Sequence, residues 1–90
     1  MNVSTDLRPH LRGIAAYLST TQGAAVVAAG TLDWLAAARA HEHVQVVTGR
    51  SSTRAARGQA EALERRILAA LPAPHPGEVC REYAGRLRRI

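Results

Sequence analysis

Apolar residues recur along this chain with the period of an α-helix, in four runs separated by glycines and prolines. Leu7, Leu11, Ile14 and Leu18 fall at i, i+4, i+7 and i+11, one face of a helix predicted over about residues 6–20. Thr5 or Asp6 is placed to cap it, and Pro9 falls in the first turn, where its missing N–H costs little. Gly23 breaks the pattern, and a second helix is predicted over about 24–42, burying Val27, Thr31, Trp34, Leu35 and Ala38. A third, about 52–71, carries the stripe Ala56, Ala60, Leu63, Ile67 and Leu71, with Ser51, Ser52 or Thr53 as its cap. Pro72, Pro74 and Pro76 end it. Pro76 opens a fourth helix over about 76–90, with Glu78 in its first turn and Val79, Tyr83, Leu87 and Ile90 on one face.

One segment departs from this period. Val44 to Gly49 (VQVVTG) is β-branched, yet a lone extended run has no partner strand elsewhere in the chain, so a loop is predicted there. The resulting fold class is all-α, a compact single-domain bundle of three to four short amphipathic helices spanning residues 1–90. Trp34, the largest side chain, is its expected core anchor, and Trp34→Ala is expected to cost about 3–5 kcal/mol.

Composition supports closely packed helices. Of the 90 residues 47% are hydrophobic but only 3% aromatic, with no Phe, so the core is small and built largely from Ala, Leu and Val. Each helix shows only four or five apolar positions, so part of a stripe is expected to remain uncovered, and association with a second chain would complete the core. The net charge is +5, and all 12 basic residues are Arg. Arg without Lys, alongside abundant Ala, Gly and Pro, is also what a GC-rich genome encodes. The bias alone therefore does not argue for phosphate recognition. In composition and helix count the chain resembles the small Ala- and Arg-rich helical proteins of high-GC actinobacteria and their phages, a resemblance that carries no site residue. The single cysteine, Cys80, allows no internal disulfide, and no charged-then-apolar leader opens the chain; a cytoplasmic location is expected, with no membrane association.

The stretch Gly13 to Gly30 (GIAAYLSTTQGAAVVAAG) has the outline of a helix-turn-helix. A recognition helix must offer Arg, Asn, Gln or Ser to base edges, whereas Ala24 to Gly30 offers no long polar side chain, so a buried helical hairpin is the better reading. A stronger candidate is the run from Gly49 to Gly58. There Arg50, Ser52, Arg54 and Arg57 gather hydroxyl, guanidinium and free N–H groups at a helix start, a general site for an anion or an acidic partner. Against it, cations are disfavoured near a helix N-terminus.

His41-Glu42-His43, with His75 and Cys80, invites a metal reading. Residues i and i+2 on a helix point apart, and no CxxC pair is present, so surface histidines near a helix end are expected and no metal. Each acidic residue has a plain role as cap, dipole partner or surface charge, and no phosphate loop or nucleophile elbow occurs. Cys80 beside Val79 and Tyr83 reads as inert packing. Neither catalytic residues nor cofactors are therefore expected.

The function expected from these features is non-enzymatic: an accessory or regulatory module that binds another protein, or itself, through an apolar helix face, with Leu7, Trp34 and Ile90 as interface candidates. The alternative is sequence-independent nucleic-acid binding through the Arg-rich start of the third helix.

Overall fold

The computed structural model describes residues 3–21, 23–49 and 53–90, with side chains of the first helix described from Leu7 to Thr20. It is a four-helix bundle: α1 (Val3–Thr21), α2 (Ala29–Thr48), α3 (Arg54–Ala70) and α4 (Cys80–Arg88). No strand occurs among the described residues. α2 and α3 pair as a helical hairpin, and α1 lies chiefly against α4. Leu7, Leu11, Ile14 and Leu18 are all buried, as their spacing predicts, and meet Leu35, Ile67, Tyr83 and Leu87 in the main core.

α1 begins earlier than expected and already runs through Thr5 and Asp6, so neither is its cap. Pro9 accordingly lies within the helix instead of at its first turn. At the other end Ser19 to Thr21 are still helical, not the turn that a helix-turn-helix outline requires. Gly23 follows, where a Cβ would come within 2.8 Å of the Ser19 carbonyl oxygen.

The largest departure is at Ala24 to Ala28, predicted to be helical: the chain turns and bends through Gly23 to Ala25, forms a bridge at Val26 and is extended at Ala28. The Val27 N–H donates to the Glu78 carbonyl at 2.9 Å, and Val26 forms an antiparallel bridge with Val79. In return the Cys80 and Arg81 N–H groups donate to the carbonyls of Ala25 and Gly23 at 2.8 and 3.0 Å. These are first-turn donors of α4, which have no partner within their own helix, and Val79 at the N-cap has no side-chain oxygen to offer them. This segment satisfies them instead. This pairing also starts α4 at Cys80, four residues beyond the predicted Pro76.

Val44 to Thr48, predicted as a loop, continues α2. Tertiary packing overrides β-propensity there: Val44 is buried with Ala56 and Ala60 in a second, smaller cluster between α2 and α3. Thr48 folds its hydroxyl back to the Val44 carbonyl at 2.7 Å. Gly49, at φ +70°, then closes the helix through its N–H to the Gln45 carbonyl at 2.8 Å. α3 follows its prediction closely, and of its three candidate caps Thr53 is seen to act, its Oγ1 accepting the Ala56 N–H at 3.1 Å.

The prolines act as expected beyond α3. His75 to Glu78 form a tight turn with Pro76 second and Gly77 third at φ +74°, closed by the Glu78 N–H to the His75 carbonyl at 3.0 Å. Glu78 is therefore a buried turn residue, not part of the first turn of α4.

Candidate functional site

The core face of α2 is Leu32, Leu35, Ala36, Ala40 and Val44, rotated from the predicted stripe. Small alanines let α3 and α1 approach this face closely, and Tyr83 of α4 takes the place of the large aromatic at the centre of the core. Trp34 is consequently displaced to the surface, where 56% of it is exposed. It is not the core anchor. Of the other interface candidates, Leu7 is 1% exposed and belongs to the core, which removes it, while Ile90 is 40% exposed at the chain end.

Trp34 stands at the mouth of a cleft of about 230 Å³ between α1 and α2, with Ile14 and Leu35 in its lining. Tyr17 of α1 meets Trp34 across it, the ring centroids 5.7 Å apart and the planes at 61°. This edge-on geometry suits the aromatic quadrupoles and holds both rings in place. Further along the cleft Arg39 reaches from α2 across α1. A Cβ on Gly13 would lie 2.8 Å from the Arg39 guanidinium, so only glycine leaves the guanidinium its present path.

The Arg39 Nη2 donates to the Pro9 carbonyl at 3.5 Å and lies 3.4 Å from Nδ1 of His10, while its Nε is shielded from solvent with no hydrogen-bond partner among the described residues. His10 is 4% exposed and packs edge-on against His43, centroids 4.8 Å apart. Burial, together with the nearby charges of Arg39, His43 and Arg66, holds the His10 imidazole below its ordinary range. Its neutral form can accept from Arg39. Sequence reasoning missed His10 and Arg39, although Leu7, His10, Leu11 and Ile14 share one helix face and so place a histidine in the buried stripe.

The predicted anion site is only partly described. Arg50 and Ser52 lie outside the described residues. Arg54 and Arg57 are exposed on the outer face of α3, where Glu61 and Glu64 follow at helical spacing, so the charge on that face is mixed. The Thr53 hydroxyl, at the helix start, is occupied by the Ala56 N–H.

His41 and His43 are both within α2, not near its end, and project in different directions; no group of three His, Cys, Asp or Glu that could hold a metal occurs among the described residues. Cys80 is a buried free thiol. Glu78 accepts the His75 N–H at 3.0 Å and Nη1 of Arg86 at 2.6 Å. The backbone N–H, with Arg86 adding to it, draws the carboxyl below its ordinary range despite burial. The pair ties the proline-rich linker onto α4, a structural role. No described helix is long and apolar enough to cross a membrane.

Comparison with known protein families, with curated proteins and with solved structures finds no match to this chain.

Proposed function

We propose that this chain is a small non-enzymatic accessory or regulatory module of the cytoplasm that works by binding another protein chain through the surface around Trp34. The observation that carries the reading is the exposure of Trp34 itself, the one tryptophan of the chain, braced by Tyr17 over a cleft with an apolar floor. A half-exposed tryptophan costs the free protein solvation, and tryptophan is among the residues that contribute most to protein interfaces when buried by a partner. A buried lone thiol is compatible with a reducing compartment.

The test compares three proteins: wild type, Trp34→Ser, and the double variant Arg54→Ala/Arg57→Ala. Size-exclusion chromatography with light scattering, over a range of protein and salt concentrations, reads self-association; quantitative co-purification from the native host reads a different partner. Association that survives high salt, is lost in Trp34→Ser and is retained in the double Arg variant supports the reading, and the light scattering decides whether the partner is a second copy. Salt-sensitive retention of duplex nucleic acid, unaffected at Trp34 and lost in the double Arg variant, would replace it with nucleic-acid binding.

A further inference from the structure

A cavity of about 370 Å³ opens where α1, α2 and α3 meet, adjoining the aromatic cleft, with which it shares Arg39. Leu7, Pro9 and Leu63 form its apolar wall. Its polar lining is His10, Arg39, His43 and Arg66, brought from three different helices. Arg39, with the imidazoles of His10 and His43 beside it, gives this space a hydrogen-bond-donating, cationic side opposite its apolar wall. Glu42, which faces Arg39 and His43 from the adjoining cleft beside Val46, supplies a carboxylate on the outer side.

The donors are also held in position. Arg39 is fixed across Gly13 by its contacts to the Pro9 carbonyl and His10, and the His10 ring is held in turn by the edge of His43. A guanidinium positioned in this way presents oriented N–H donors with less side-chain freedom left to lose on binding. The apolar wall on the other side suits the carbon framework of an organic anion.

We propose that this cavity binds an oxyanion group, the phosphate of a phosphate monoester or the carboxylate of a small organic acid, through Arg39 and His43 with His10 behind them. Arg39 and His43 come from α2 and His10 from α1, and a guanidinium pairs with the oxygens of either phosphate or carboxylate.

The experiment follows the four histidine ring signals by NMR while inorganic phosphate or acetate is added at constant ionic strength with chloride as the control. His41 and His75, exposed elsewhere, serve as internal references. The expected result is saturable movement of the His10 and His43 signals, with apparent affinity of about 1 mM or tighter, equivalent to about 4 kcal/mol. Stronger binding of phosphate than acetate assigns a phosphate ester, and the reverse order assigns a carboxylate. Arg39→Gln should weaken binding at least about tenfold, and His43→Gln, at an exposed position that leaves the fold intact, should do the same. No saturable movement up to about ten times that concentration, movement equal to that in chloride, or binding unchanged in both variants would overturn the proposal.

Discussion

Trp34→Ala is the perturbation whose magnitude the structure changes most. A fully buried tryptophan removes about 150–250 Å² from water, and Trp34 is a little under half sheltered, so about 70–110 Å² is at stake. At about 25 cal/mol per Å² this is about 2–3 kcal/mol, reduced by the compactness of the unfolded chain. Alanine returns about 0.5 kcal/mol through its higher helix propensity, while loss of the edge contact to Tyr17 costs about 0.5–1.5 kcal/mol. The net expectation is a loss of about 2 kcal/mol, in place of the 3–5 kcal/mol that a fully buried anchor would cost. In a domain of this size it corresponds to a fall of about 8–15 °C in the melting temperature. Urea titration and thermal melting followed by circular dichroism measure both, and the variant should remain fully helical at 20 °C or below. A variant that is unfolded, or destabilised by about 4 kcal/mol or more, would refute the placement of Trp34 at the surface. A loss below about 0.5 kcal/mol would refute the partial burial of Trp34 together with its Tyr17 contact.

Tyr83 donates its hydroxyl to the Pro72 carbonyl at 2.7 Å, so Tyr83→Phe should cost about 1–2 kcal/mol by leaving that acceptor without its donor, measured by urea denaturation. Burial raises the phenol from 10.0 to about 12, so the unfolded chain ionises first and wild-type stability should fall as pH rises from 10 towards 12; a spectrophotometric titration of Tyr17→Phe in which the remaining tyrosine, Tyr83, ionises at 10.0 would contradict this. His10 gives the opposite limb: its folded imidazole lies below the unfolded value of 6.5, so the unfolded state binds more protons and stability should be complete above 6.5 and decline as pH falls through it. His10→Gln should flatten that acid limb in stability curves measured from pH 5 to 8, and an unchanged slope would show that another group titrates there.

The repeat of apolar positions and the residues between the runs were enough to identify four helices, the face of α1 that packs inward, the end of α3 at its prolines and a hydroxyl cap for α3 among Ser51, Ser52 and Thr53. These features are local: they depend on residues three and four apart and on side chains that bond their own backbone. The partners of Val26 and Val27 lie more than fifty residues away at Glu78 and Val79, so no window along the chain could show that Ala24 to Ala28 would leave the helix to satisfy the first turn of α4. Val44 to Thr48 became helical because Ala56 and Ala60 of α3 leave room for Val44, a contact that β-propensity does not contain. The same distinction governs the two candidate sites. Arg54 and Arg57 were visible as a charged run, and Glu61 and Glu64 follow them at helical spacing in the sequence; the structure adds that both arginines are exposed. Trp34 and Leu35 are neighbours in sequence and equally apolar in a hydropathy pattern; which of them turns inward was decided by the rotation of α2 that lets Ala36 and Ala40 pack, and by Tyr83 already filling the centre of the core. Likewise Arg39, His10 and His43 form a cavity only because α1 and α2 cross at Gly13, where the absence of a side chain lets the guanidinium through.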